Sequence, residues 1–275
     1  MSNLTAVIFG ATGGIGHAIA HHFADKGLNL ILVGRKQDTL QQLGQSLAQQ
    51  HPQLQLHSLR CDLTDASSRH DFIQALAALK QPIHYYIHNA GMNDFCLFAQ
   101  QSQDTIEQML LVNVAYALQL IQDVIPYMSD SQPSQIINIG STFGSIGYPG
   151  YVSYCASKFA LRGATEALAR EYSQTAIRFR YFSPRATHTS MNNPDVIEMN
   201  SKLGTKVDSP ECVAQELYQF LHTARQSYQV GYPEKVFVKL NQLMPSRVAA
   251  AIQKDLDTIY EYADQSKATR PSYSD

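Results

Sequence analysis

The sequence predicts an α/β fold of the doubly wound kind, with one parallel sheet of about seven strands, helices on both faces and a C-terminal helical extension. Three observations carry this. Short β-branched, apolar runs alternate with longer stretches of helical period. The runs are apolar at successive positions, so both strand faces must be buried, which calls for a parallel sheet with right-handed crossovers. A glycine-rich turn, FGATGGIG, joins the first strand to the first helix.

In order, TAVIFG is followed by a helix over 14–26, LNLILVG by a helix over 37–50, and LQLHSLR by a helix over 65–79. That makes a βαβαβ half. A second half follows: IHYYIHNAG, a helix over about 102–128, QIINIGS, a helix over about 152–173, and IRFRYFSPR. Pro133, Pro149, Pro184 and Pro210 punctuate loops and mark no linker. The expected division is one domain over residues 1–232 and an extension of that domain over 233–275.

At 275 residues and 44% apolar content the chain can bury a sizeable core. A formal charge of -2, with 16% charged residues, gives no electrostatic footprint for nucleic acid or for an anionic membrane surface, and a small or neutral partner is expected. Cys61, Cys96, Cys155 and Cys212 are widely spaced without a Cys-x-x-Cys pair, which argues against a zinc site or a disulfide framework and fits the cytoplasm. No cationic and apolar leader opens the chain, and no segment approaches about 18 uninterrupted apolar residues, so no transmembrane segment is expected.

The glycine turn places bare amides and a helix dipole where a pyrophosphate can sit, with Gly10, Gly14 and Gly16 allowing close approach and Thr12 and Ile15 beside them. The alternative is a glycine turn with no ligand. At the end of the second strand a carboxylate would bind an adenosine ribose; here Gly34 holds that position and Arg35 and Lys36 follow. A guanidinium grips phosphate through a planar fork, so NADP(H) is preferred and NAD(H) remains possible. Solvated loop cations are the competing reading. Asp62, next to Leu63, could bond the adenine amino group, or be a turn or capping aspartate.

Tyr154 and Lys158 stand four apart in a stretch of helical period and so share a face. With 15 Tyr among 275 residues, about half a Tyr-x-x-x-Lys match is expected by chance, so the pair needs its context. A tyrosine of pKa about 10 needs a neighbouring cation to work near neutrality. Lys158 could supply it. Ser141, at the end of QIINIGS, falls at the carboxyl edge where its hydroxyl could bond a substrate carbonyl, or merely satisfy local backbone.

On Gly10, Gly14 and Gly16, Asp62, Asn89-Ala90-Gly91, Asn113, Ser141, and Tyr154 with Lys158, the chain resembles the short-chain dehydrogenase/reductase family in its compact form, over about residues 4–190. The resemblance implies a Rossmann-type, NAD(P)(H)-dependent oxidoreductase acting on CH–OH and C=O groups. It implies Tyr154 as proton donor and acceptor, Ser141 orienting the carbonyl, and Lys158 lowering the tyrosine pKa and binding ribose. Asn113 is then expected to hold a water linking Lys158 to solvent, and Asn89 to Gly91 to line the adenine-ribose side. Pro184, Thr187 and Thr189 fall at the nicotinamide. Two departures stand out: Phe9 where the family usually has Thr, and Pro184-Arg185 where it usually has Pro-Gly. Arg185 is expected either at a phosphate or acidic group, or in solvent.

Residues 190–208 fall where the family places a lid, and Met191, Val196, Ile197, Met199 and Leu203 predict an apolar cover. In the extension, Val236, Leu240, Leu243 and Met244 share a helical face that could roof a substrate, rest on a membrane, meet a second subunit, or dock on its own domain. His17 and His21 share a helical face without a third ligand, so no metal site is expected. The expected function is NADPH-dependent reduction of a hydrophobic ketone such as an acyl, lipid or polycyclic ketone, in a homo-oligomer. The alternative is an NAD(P)H-binding regulator without turnover.

Overall fold

The computed structural model describes residues 4–265. Its strands are β1 (Thr5–Phe9), β2 (Asn29–Gly34), β3 (Leu56–Arg60), β4 (Tyr85–His88), β5 (Ser134–Ile139), β6 (Ile177–Ser183) and β7 (Ser227–Gln229). They form one sheet in the order β3-β2-β1-β4-β5-β6-β7, and every pairing is parallel. The chain winds outward in both directions from the β1–β4 boundary, so the crevice for a ligand opens at the carboxyl ends of those strands. Every position of β1 and β2 is buried, as their unbroken apolar runs require.

The helices are α1 (Gly14–Asp25), α2 (Gln37–Gln50), α3 (Ala66–Ala78), α4 (Gln103–Leu110), α5 (Tyr116–Val124), α6 (Val152–Glu171), α7 (Pro194–Lys202), α8 (Pro210–Leu221), α9 (Glu234–Leu243), α10 (Pro245–Gln253) and α11 (Leu256–Gln265). Strand side chains alternate between two layers. Ile8, Leu30 and Phe182 pack on one face with Ile19, Phe23 and Leu217 from α1 and α8. Val7, Ile31 and Tyr86 pack on the other with Phe72, Leu120 and Ile121 from α3 and α5. Each large apolar side chain so buried stabilises the fold by about 1.5–3 kcal/mol.

The helix expected over about 102–128 is present but not uniform. Ser102 caps α4 by accepting from the Thr105 amide, and a π-helical turn at Leu111–Ala115 separates α4 from α5. Such a turn swings one residue off the regular spiral. The residue at its centre is Asn113, buried at 1% exposure. Among the described residues this run, Gln103–Tyr127, is the one helical stretch apolar and long enough to cross a membrane. Here it buries Met109, Ala117, Leu120, Ile121 and Val124 in the protein.

The extension behaves as two parts. Ile259, Tyr262 and Ala263 of α11 are buried against Val196 and Met199 of α7, and Lys202 pairs with Glu261 at 2.7 Å. α9, by contrast, buries none of its residues. The apolar face expected from Val236, Leu240, Leu243 and Met244 is therefore not what docks the extension; α11 does that, because its apolar side chains meet the lid. Residues 266–275 of the predicted extension lie outside the described residues.

Candidate active site

The phosphate loop is shaped by glycines at positions where a side chain has no room. Gly10 has φ +84°, and a Cβ there would lie 2.9 Å from the Ala90 amide nitrogen. A Cβ on Gly16 would fall 2.1 Å from the Gly10 carbonyl oxygen. Gly14 would meet Thr189 Cγ2 at 2.7 Å, while Gly13 has nothing nearer than 3.5 Å. The positions that need glycine are thus 10, 14 and 16. Gly13 precedes α1 with no side-chain cap, so the Gly14, Ile15 and Gly16 amides are first-turn donors with no partner inside the helix, which suits an anion.

Asn89 Nδ2 donates to the Gly10 carbonyl at 3.3 Å and the Asn89 amide donates to Phe9 O at 3.0 Å, tying Asn89-Ala90-Gly91 to the loop. Thr12 lies against Gly34, whose Cβ would be 3.2 Å from its hydroxyl. Arg35 and Lys36 are exposed at the same end. Sequence reasoning missed a third cation: Arg60, register partner of Gly34, donates through Nε to Arg35 O at 3.2 Å. Its place at the end of the adjoining strand was the available signal. The residues present therefore fit a dinucleotide, with a cationic rim at its ribose end.

Asp62 Oδ1 accepts from the Thr64 amide and hydroxyl at 2.9 and 2.8 Å, the arrangement of a turn aspartate. Burial pushes its carboxyl up, but the Thr64 bonds and the Arg35 and Arg60 charges outweigh that and hold it below the usual range. Leu63 sends its side chain into the core, leaving only its backbone for a ligand.

The four candidate catalytic residues converge. Ser141 follows β5, accepts from the Phe143 amide at 3.1 Å and lines the same cavity as Tyr154. Tyr154 and Lys158 project from α6, with Lys158 Nζ 5.7 Å from the tyrosine ring centre and donating to Ile139 O at 3.0 Å. Burial pushes the Tyr154 hydroxyl up to about 12, against the pull of Ser141, and draws Lys158 down to about 8. Burial is the largest influence on the Tyr154 hydroxyl here, and the Lys158 amine is engaged by the Ile139 carbonyl. Asn113, expected to hold a water, is buried beside Gly91 and Lys158. Its amide is committed to both backbone groups of Met92 at 2.8 Å and to Ser157 Oγ at 3.0 Å, so its side chain is a brace between the β4 loop and α6.

Below these residues runs a row of register partners, Phe9, His88, Asn138 and Tyr181, which sequence reasoning did not assemble. Phe9 stacks on His88 at 5.4 Å, so the missing threonine hydroxyl is replaced by ring packing. Burial, then the Lys158 charge, lowers His88 to about 3 and keeps it neutral. Its Nε2 and Asn138 Oδ1 are buried without a hydrogen-bond partner. Tyr181 passes under Gly140 and donates to Lys158 O at 3.1 Å.

A cavity of about 210 Å³ runs from Ile15 and Thr189 past Ser141 and Tyr154 to the lid. Its far wall is aromatic, with Phe143 stacked on Tyr148 at 4.9 Å and Tyr151 at 5.0 Å from Phe143. Val196 and Met199 close it, whereas Met191 and Ile197 of the predicted cover are exposed. Of the two threonines expected at the nicotinamide, Thr189 reaches the glycine loop at Gly14, and the Thr187 hydroxyl turns back to Arg185 O at 2.8 Å. Pro184 accepts from the Thr142 amide at 3.1 Å, holding its carbonyl near Ser141.

Arg185 is neither in solvent nor free for a phosphate. It grips Asp208 and reaches Glu234 Oε2 at 3.1 Å and Tyr232 O at 3.2 Å. Two carboxylates satisfy it, and Gly231 leaves room for its side chain to lie flat. Among the described residues there is no group of three His, Cys, Asp or Glu able to hold a metal.

A parallel doubly wound sheet, a glycine cradle at the β1–β4 crevice and a tyrosine-lined cavity beside it define a dinucleotide-dependent oxidoreductase. The chain belongs to the short chain dehydrogenase family, whose model matches residues 4–200. The family acts on CH–OH and C=O groups. Among its relatives, 3-oxoacyl-[acyl-carrier-protein] reductase of Rickettsia bellii is 28% identical, over 84% of this chain and 94% of that protein. A 3alpha-hydroxysteroid dehydrogenase of Mediterraneibacter gnavus is 27% identical, over 70% of this chain and 76% of that one. The structure of a short-chain dehydrogenase from Sphingobium yanoikuyae in complex with NADPH is 26% identical, with TM-score 0.72, covering 90% of this chain and 95% of that one.

Proposed function

We propose that the protein is an NADPH-dependent carbonyl reductase, or in reverse an alcohol dehydrogenase, for a hydrophobic substrate such as an acyl, lipid or polycyclic ketone. The observation that carries this reading is the convergence of Ser141 and Tyr154 on one cavity whose opposite wall is aromatic, with the Lys158 amine 5.7 Å from the tyrosine ring. The bound cofactor supplies the hydride. Ser141 orients the substrate oxygen, and Tyr154, held protonated at neutral pH, donates the proton to the developing alkoxide. Lys158, at about 8, exchanges protons near neutrality and, when charged, favours the phenolate left behind. Arg35, Lys36 and Arg60 surround the 2′-phosphate; NAD(H) lacks that group and binds more weakly.

In this reading residues 1–232 are the dinucleotide-binding catalytic domain and 233–275 its extension. The protein works in the cytoplasm, with Cys61, Cys96 and Cys155 reduced in its interior. It assembles with itself through the exposed apolar side chains of Leu110 on α4 and Phe159 on α6.

The test is a panel of ketones and alcohols, including 3-oxoacyl thioesters and steroids, assayed with NADPH and NADH. Turnover on an apolar ketone, lost in Tyr154→Phe with NADPH binding kept, is the expected result. Cofactor binding without turnover on any member would overturn it and favour a non-catalytic sensor.

A further inference from the structure

α9 is held to the protein by its polar side. Glu234 pairs with Arg185, Lys235 Nζ donates to the Tyr228 hydroxyl at 2.9 Å, and Asn241 Nδ2 donates to Ser145 O at 3.0 Å. Its apolar side faces out: Leu243 is 80% exposed, Val236 and Met244 48%, Phe237 39%, and Tyr232 just before the helix 69%. A surface helix normally turns its apolar stripe inward. An exposed cluster of this kind marks a contact surface.

The charge of the same segment narrows the occupant. Residues 235–254 carry Lys235, Lys239, Arg247 and Lys254 and no acidic residue, in a chain of net charge -2. Lys239, Arg247 and Lys254 are exposed. A two-fold contact between copies would set this cationic patch against itself, because such an interface is self-complementary. An anionic lipid surface supplies both the apolar interior and the opposite charge. Glu234, at the start of the segment, is turned to Arg185, and the acidic residues that follow it begin at Asp255, past its end.

The cavity beside Tyr154 reaches this edge. Glu234 of α9 and Met191 both line it, and Met191 and Ile197 are exposed on the lid. We propose that α9 and the start of α10 rest on an anionic membrane surface, with Val236, Phe237, Leu243 and Met244 among the acyl chains and Lys239 and Arg247 at the phosphates. An apolar substrate then enters the cavity from the bilayer, a consequence that rests on the reductase reading above.

Full-length protein sedimented with phosphatidylcholine vesicles, with and without phosphatidylglycerol, tests the contact. Binding is expected to the anionic vesicles, weakened by salt, and reduced about tenfold or more by Leu243→Glu or by Lys239→Glu. Reduction of a water-soluble ketone by either variant stays at the unsubstituted level. The contact is overturned if the protein ignores anionic vesicles, or binds them equally with both substitutions. A dimer that Leu243→Glu dissociates, without vesicle binding, assigns the face to a second copy and also overturns it. Vesicle binding is read without turnover, so a failure of the reductase reading removes only the entry route and leaves the contact standing.

Discussion

Arg185 and Asp208 meet through two parallel hydrogen bonds, Nε to Oδ2 at 2.8 Å and Nη2 to Oδ1 at 2.6 Å. The pair joins the segment after β6 to the far end of the lid, and Glu234 extends it to α9. The three side chains are 14%, 9% and 18% exposed, so water screens the charges little. One guanidinium thus fastens lid and extension to the sheet.

Replacing it by the residue usual in the family, Arg185→Gly, leaves the buried Asp208 carboxylate and the half-buried Glu234 without a cation. A loss on the order of 3–5 kcal/mol is expected in urea unfolding. Arg185→Lys recovers part of it, since an ammonium cannot match the planar fork. The Michaelis constant for an apolar substrate should rise more than kcat falls, because the lid and not the proton donor is loosened. An unchanged unfolding midpoint for Arg185→Gly would show that the pair holds nothing.

Lys158 imposes a stability cost that depends on pH. Its folded value of about 8 lies below the ordinary lysine value of 10.5, so between these pH values the unfolded chain binds more protons and stability rises with pH. Below pH about 8 the full penalty applies, on the order of 3 kcal/mol, less about 1 kcal/mol for the bond to Ile139. Lys158→Met should therefore be inactive yet more stable than the unsubstituted protein at pH 7. Unfolding at pH 7 and above pH 10 should show that advantage disappearing.

The glycine loop can be tested with one methyl group at a time. Gly13→Ala should bind NADPH within about threefold of the unsubstituted protein, since its Cβ meets nothing closer than ordinary contact. Gly14→Ala collides with Thr189 and should weaken binding about tenfold or more, and Thr189→Ser in the same chain should restore part of it. Fluorescence titration measures all three. Equal losses at 13 and 14 would mean the loop rearranges around cofactor.

Arg35, Lys36 and Arg60 should discriminate between the two nicotinamide dinucleotides. Arg35→Ser and Arg60→Ser are each expected to weaken NADPH about tenfold and NADH hardly at all, as a charge-assisted hydrogen bond is worth about 1.5–3 kcal/mol. If both cofactors weaken together, the cations support the loop and do not read the phosphate.

Much of this was legible along the chain because it depends on short-range pattern. The strands of βα units are continuous apolar runs, so β1 through β6 and their helices could be placed within a few residues. Tyr154 and Lys158 share a face by helical periodicity alone, and Gly10 and Gly16 are needed wherever a strand turns this tightly into a helix. β7, three residues long, carries too little pattern to be placed from sequence.

By itself the sequence determined the strands and helices of the doubly wound sheet, the glycine turn after β1 and the shared helix face of Tyr154 and Lys158, because these follow from local periodicity and turn chemistry. Only the tertiary structure decided the partners of polar groups brought from afar. Arg185 found Asp208 and Glu234, Asn113 found Met92, Phe9 found His88, and burial pushed the Tyr154 hydroxyl up. Which groups a side chain faces, and how much water reaches it, are set by elements packed across the fold, and no local pattern encodes them.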